Sequence, residues 1–240
     1  MHGSTLSLCP RLQMAADFVR AGAAVADIGT DHAYLPAYLA LEGKCRSAVV
    51  SDLREKPLEN ARQTIRRYHL EDRVTTCLSD GLDAIDPHQA EDIVIAGMGG
   101  ELIASLLARA PWLRDAEKRL ILQPMTHAED VRRFLYENGF AILAENAVRE
   151  GDRLYIALCA RYTGEKTAYS PGLPYLGRLA ACRSEAAARF LEKQRQRLNV
   201  RAQALRRSGR EPEECARLEA AAAELGEALQ GMAVKQEGTI

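Results

Sequence analysis

The sequence predicts an α/β fold: a mostly parallel sheet ending in an antiparallel hairpin, followed by a C-terminal α-helical coiled-coil hairpin. Three observations lead there. Short β-branched runs alternate with helical patterns over the first 160 residues, two late strand-like runs are joined by only five residues, and leucines recur every seven residues near the C-terminus. Apolar strands alternating with helices are the pattern of a parallel sheet covered on both faces.

The expected strands, in order, are Ala24–Ile28, Ala48–Asp52, Val74–Leu78, Asp92–Ala96, Leu120–Gln123, Ala141–Val148 and Leu154–Ala160. Helical stretches lie between them at Ala33–Leu41, Lys56–Tyr68, Glu101–Ala110 and Ala128–Asn138. Arg149–Arg153 is too short for a crossover helix, so the last two strands must run antiparallel. The Gly- and Pro-rich segment TGEKTAYSPGLPYLG after Tyr162 reads as a linker and divides a domain over 1–162 from a hairpin over 163–240. In that hairpin Leu191, Leu198 and Leu205 form one stripe, and Leu218, Leu225 and Met232 another. Gly209 can end the first helix and Pro212 can start the second, giving two antiparallel helices zipped along a seam.

Composition excludes several classes. With 47% hydrophobic and 27% charged residues the chain is neither collagen-like, nor a disulfide scaffold, nor disordered throughout. No apolar run approaches the roughly 20 residues of a membrane span, and the N-terminus lacks a basic region followed by an apolar stretch. No membrane association or export is therefore expected. The six cysteines lie at least 23 residues apart, without zinc-site spacing, so no metal is expected and the thiols suit a reducing cytoplasm. The net charge of −1 conceals an uneven distribution. Residues 161–210 carry +9, residues 211–240 carry −5, and residues 1–160 carry −5. Such a basic block suits a polyanionic partner, although a solvated helix face accounts for it equally well.

The chemistry-bearing motifs follow successive strands. AVADIGTDHAYLP places Asp27 at the end of the first strand and Gly29 in the turn after it, where open α/β sheets bind ligands. A dinucleotide fingerprint requires G-x-G-x-x-G and a bare helix N-terminus for a pyrophosphate. Here only one glycine is present, and Asp31 stands where phosphates would lie. A carboxylate there repels phosphate and favours a cation, which fits S-adenosyl-L-methionine. Asp52, with Leu53 after it, ends the second strand where an acid can accept from both ribose hydroxyls. Asp80 and Gly81 follow the third strand, where Asp80 can accept from the adenine amino group. After the fourth strand, Gly97, Met98, Gly99 and Gly100 offer backbone for close approach to a bulky group. Gln123 and Pro124 end the fifth strand facing the same cleft.

DIGTDHAYLP, SDGL, IAGMGG and LILQP, in this order and spacing, resemble the bacterial tRNA (adenine-22-N1)-methyltransferase family. The resemblance covers the chain to about Arg161; members often read LQPN where this chain has LQPM. It implies a Rossmann-like class I methyltransferase domain joined to a helical coiled coil, with tRNA as the partner. It also implies methyl transfer to N1 of an adenine, whose free lone pair attacks without prior loss of a proton. Alignment and charge compensation are then the chief needs. Asp31 is the first candidate to face the cationic ring, His32 to orient it or collect a proton, and Tyr34 to stack on the base. Equally, Asp31 can hold the cofactor's ammonium and His32 can serve the helix start. N1 lies on the Watson–Crick edge, so the target must be unpaired or flipped. The basic block, with Arg195, Arg197 and Arg201 in its centre, would meet the RNA backbone. A methyltransferase of another RNA or of a small molecule, and a non-catalytic RNA-binding module, stand as alternatives.

Overall fold

The computed structural model describes residues 6–237, with side chains described to residue 233. Seven strands form one sheet in the order β3-β2-β1-β4-β5-β7-β6. They are β1 (Ala23–Ile28), β2 (Cys45–Asp52), β3 (Val74–Leu78), β4 (Asp92–Gly99), β5 (Arg119–Thr126), β6 (Phe140–Glu150) and β7 (Arg153–Tyr162). β1 to β5 run parallel and β7 lies antiparallel between β5 and β6. All seven expected strands form; Val74–Leu78 keeps its expected bounds, and the other six are extended by up to three residues at an end. The β6–β7 turn is the two-residue Gly151–Asp152, with Glu150 paired to Arg153 and Gly151 at φ +59°.

The helices over the sheet are α1 (Pro10–Phe18), α2 (Tyr34–Leu41), α3 (Glu55–Arg67), α4 (Gly100–Arg109) and α5 (Ala128–Glu137). Side-chain alternation divides the core into two layers. Ala26, Ile28, Ile93 and Ile95 face one side with Ile103, Leu106, Val131 and Leu135 of α4 and α5. Val25, Val50 and Val94 face the other with Ala15, Leu39, Ala61 and Ile65 of α1 to α3. α1 is an addition to the expected elements. Pro10 opens it without clash, and Arg20 just beyond it donates from its backbone and from Nε to the fully buried Asp92, each at 2.7 Å.

The segment read as a linker is ordered instead. It carries α6 (Leu173–Leu176) and leads into α7 (Leu179–Cys182), with Tyr175 and Leu179 buried. α8 (Glu185–Ser208) and α9 (Pro212–Glu237) then form the helical hairpin. Gly209 takes the left-handed conformation at φ +64° that ends α8. Leu198, Leu218 and Leu225 share one core with Ala202 and Cys215. Leu191 and Met232 pack instead with Ala128 and Ile156, which docks the hairpin base on the sheet layer. The stripe is therefore partly a helix–helix seam and partly a contact with the α/β body. Among the described residues no helix is long and apolar enough to cross a membrane. Residues 1–5 and 238–240 of the expected domain spans lie outside the described residues.

Candidate active site

Strand order reverses between β1 and β4, so a crevice opens beyond their carboxyl ends. Residues from the ends of β1, β2, β3, β4 and β5 surround it.

The β1 turn supplies the acid. Asp27 is buried, and desolvation pushes its carboxyl up to about 6 against the lowering effect of the Thr30 side-chain hydrogen bond. Gly29, at φ +75°, and Thr30 donate backbone hydrogen bonds to Ser51 O at 2.7 and 3.0 Å, fastening the turn to β2. The positive φ at Gly29 favours glycine, and the flexible end of Met98 fills the space where a Cβ would stand, with Cε 1.9 Å from that position. Beyond the turn the chain surfaces. The Asp31 side chain is 69% exposed, with Asn60 Nδ2 donating to its Oδ1 at 3.4 Å and His32 Nε2 lying 3.3 Å from its Oδ2. His32 and Tyr34 are half-exposed and stack, with centroids 5.2 Å apart and planes 14° from parallel. Ala33 takes φ +53°, so the helix begins at Tyr34. Asn60 on α3 was not among the expected site residues; it lies 29 residues from Asp31 and no local pattern marks it.

At the end of β2, Asp52 Oδ1 accepts from the Arg54 backbone at 2.8 Å, a short Asx turn that leaves Oδ2 for a ligand. Leu53 is exposed beside it. At the end of β3 the structure changes the reading of Asp80. Both its oxygens accept from Arg109, Oδ2 at 3.1 Å from Nη1 and Oδ1 at 2.9 Å from Nη2, and Arg109 also holds the Asp80 carbonyl at 3.2 Å. The guanidinium holds the carboxyl below the usual range. Asp80 thus serves first to anchor its own loop to α4, with Gly81 (φ +61°) folded against Leu106.

Two expected substrate contacts, Gln123 and Gly100, are held inside the fold instead. Gln123 is wholly buried; its Oε1 accepts from Gly97 N at 3.1 Å and its Nε2 donates to Pro124 O at 3.2 Å, so it braces the glycine turn from beneath. Gly100 is buried, and a Cβ there would lie 2.0 Å from His127 O, so its role is close packing of α4 on the β5–α5 turn. Gly99 is only partly buried, and its Cβ position lies 3.3 Å from the Thr126 side-chain Oγ1. Gly100→Ala should therefore destabilise by about 1–3 kcal/mol through overpacking against an immovable backbone, read as a lowered urea midpoint. Gly97, by contrast, has φ +82° and no atom within 4 Å of its Cβ position, and Met98 is partly buried against the core. Pro124 is buried at the crevice edge. The three arginines separate. Arg195 is bidentate to Glu192 and lies beside Gly226 of α9, away from the crevice, whereas Arg197 and Arg201 share a groove along α8. Among the described residues one group, Glu101, His127 and Asp130, brings ligating atoms within 4.8 Å of one another; all are partly or fully exposed.

The fold and this acidic crevice define a nucleotide-cofactor methyltransferase, and a methyltransferase-domain family model matches residues 8–158. The chain is 37% identical over 164 residues to the tRNA (adenine(22)-N(1))-methyltransferase of Bacillus subtilis strain 168, covering 68% of this chain and 69% of that protein. It belongs to that tRNA (adenine(22)-N1)-methyltransferase family. The crystal structure of the B. subtilis M1A22 tRNA methyltransferase TrmK superposes with a TM-score of 0.80 at 29% identity, over 95% of this chain and 99% of that one. A Streptococcus pneumoniae protein, described as a putative tRNA (m1A22) methyltransferase in complex with S-adenosyl-L-methionine, gives 0.78 at 30% identity, over 93% and 100%.

Proposed function

We infer that this chain methylates N1 of adenine 22 in tRNA with S-adenosyl-L-methionine as donor. The family supplies the acceptor. The observation that carries the donor is the buried Asp27 carboxyl, which has Thr30 as its side-chain partner and sits beside a glycine turn. A carboxylate so placed gains most from a cation, and S-adenosylmethionine brings an ammonium and a methyl-bearing sulfonium. Asp27 holds the cationic end, Asp52 accepts from the ribose through its free Oδ2, and Leu53 covers the apolar face of the base. The Asp80–Gly81 loop, held by Arg109, closes the adenine side.

No general base is needed before attack, because N1 carries its own lone pair. The chain's task is to fix the adenine against the donor, which removes a bimolecular entropy cost of on the order of 7–11 kcal/mol at best. Its second task is to face the positive charge developing on the purine. Asp31 does this, oriented by Asn60 and His32, while the His32–Tyr34 stack continues as a platform for the extruded base. His32 then collects the proton that the N6 amino group of the cationic product sheds. The chain divides into a methyl-transferring domain, residues 1–162, and an RNA-holding helical hairpin, residues 163–240, which we take to be a coiled coil. Activity on tRNA places the protein in the cytoplasm.

Incubation with labelled donor and unmodified tRNA, followed by mapping of the modified nucleotide, tests this directly. Label at N1 of adenine 22 is expected; label elsewhere, or none, overturns the assignment. Asp31→Ala should lower kcat at least tenfold while leaving the donor Kd within twofold, measured by calorimetry. Equal losses in both would move Asp31 into the donor's binding shell.

A further inference from the structure

Between the sheet and the helical hairpin lies a cavity of about 350 Å³ that the reaction described above leaves without an occupant. Met125 at the end of β5, Leu154 and Ile156 of β7, and Phe190, Lys193 and Arg197 of α8 line it; the Tyr155 ring turns to the opposite face of the sheet, against Met14 and beneath Arg11. Its floor is continuous with the methyl-transfer crevice. Pro124 pairs with Met98 and Thr126 with Gly99, so β5 carries Met125 about 4.8 Å, one strand spacing, from the glycine turn.

Charge distinguishes this cavity from the rest of the hairpin. Most α8 cations are already matched: Arg189 with Glu185, Arg195 with Glu192, Arg201 with Glu214 and Arg206 with Glu219. Of the three α8 cations with no carboxylate within ion-pair distance among the described residues, Arg207 lies in the last turn of the helix, whereas Lys193 and Arg197 line this cavity; Arg197 Nη1 reaches only Gln194 Oε1 at 3.3 Å. Spaced i, i+4, they share one helix face. The cavity thus presents two unmatched cations above an apolar floor, with Phe190 in its wall. Met125, 38% exposed, is the floor's open part. A cavity with an apolar floor and a cationic wall is complementary to one nucleotide, whose base stacks on aromatic and apolar side chains while its phosphate meets Lys or Arg.

We propose that this cavity holds the nucleotide adjacent in the chain to the methylated adenosine, its base on Met125 and the β7 floor and its phosphate on Lys193 and Arg197. The proposal rests on the reading of the chain as a tRNA methyltransferase. Extruding an adenosine to reach N1 unstacks its neighbour, and a pocket one strand away gives that neighbour a place to bind. The groove beyond, lined by Lys193, Arg197, Val200 and Arg201, continues the path of the backbone along α8.

The test is steady-state methylation of unmodified tRNA across a salt series, with donor affinity measured by calorimetry. For Lys193→Ala/Arg197→Ala, KM for tRNA should rise tenfold or more and the slope of log KM against log salt should flatten by about 1–2. The kcat at saturating tRNA and the donor Kd should stay within twofold. Met125→Glu, which places a carboxylate beneath the two cations, should also raise KM about tenfold. Arg206→Ala, whose charge is already matched, should change KM less than twofold. If Arg206→Ala raises KM as much as the double variant, the cations act as a diffuse field and the pocket is refuted. If Met125→Glu leaves KM unchanged, no nucleotide rests on the floor. If the double variant keeps the wild-type KM while the wild type methylates tRNA, only this pocket falls; a wild type inactive on tRNA overturns the functional reading as well.

Discussion

Asp27→Asn should make the protein more stable at pH 8 and less able to bind S-adenosylmethionine. The buried carboxyl titrates at about 6 in the fold against an ordinary 3.8. The native state therefore binds the proton more tightly than the unfolded chain, and stability falls as pH rises from about 4 to about 6. Above that window the ionised group costs about 3 kcal/mol, because each tenfold gain in proton affinity on folding is worth roughly 1.4 kcal/mol. Asparagine keeps the shape and an acceptor for Thr30 but carries no charge. The variant should match the wild type at pH 4 and exceed it by about 3 kcal/mol at pH 8, on the order of 6–12 °C in Tm for a chain of this size.

Function runs the other way, as expected where a binding site stores unfavourable charge. A cationic donor needs the ionised carboxylate, so wild-type affinity should strengthen about tenfold per pH unit up to about 6 and then level. Asp27→Asn should bind at least tenfold more weakly at pH 8 and show no such pH dependence. Calorimetric titration and thermal melts at pH 4, 6 and 8 measure both halves. A variant less stable than wild type at pH 8, or a wild-type affinity flat between pH 5 and 7, would remove Asp27 from the role of counter-charge.

What was legible in the sequence follows from how far apart the interacting residues lie. Strand runs such as Val74–Leu78 are local and apolar, and the structure reproduces that strand residue for residue. Asp27, Asp52 and Asp80 are visible because each lies at or just beyond the end of a strand. What Asp80 touches is not: Arg109 lies 29 residues on, and no pattern within the SDGL turn announces it. Gln123 shows the same limit, since a glutamine at a strand end reads as a contact until its acceptor bond with Gly97 is seen. Arg195 was separable in principle. It follows Leu191 by four residues and therefore sits on the leucine stripe, whereas Lys193, Arg197 and Arg201 recur at four-residue spacing on another face. α1, α6 and α7 escaped because short elements rich in Gly, Pro or mixed residues carry no periodicity and are held by tertiary contacts.

The strongest of those tertiary contacts is a buried ion pair, and breaking it should have the largest effect on stability of any single change in the connection to the hairpin. Arg132 of α5 and Glu145 of β6 are almost wholly buried, with Nε donating to Oε1 at 2.8 Å. Arg132 Nη1 also donates to the carbonyls of Pro174 and Tyr175 at 2.8 and 3.1 Å, and Glu145 Oε2 accepts from the Arg178 backbone. Gly177, at φ +55°, threads between them; a Cβ there would lie 2.1 Å from Glu145 Oε2 and 2.4 Å from Arg132 Nε. The pair thus fixes residues 174–178, the chain that carries the helical hairpin into place. Removing one partner leaves an uncompensated charge in a dry site, so Glu145→Ala should cost about 3–5 kcal/mol in urea unfolding. Replacing both, as Arg132→Met/Glu145→Leu, should recover most of that stability, because the desolvation cost of the charges goes with them. The recovered double variant separates folding from function. It lacks the side-chain bonds to the connection, so the cations of α8 lose their fixed position over the crevice. Its donor Kd should equal that of the wild type, while KM for tRNA should rise at least fivefold. A loss below about 1 kcal/mol for Glu145→Ala would show that the connection is held by its apolar contacts alone, and a double variant with unchanged KM would show that the hairpin finds its place without the pair.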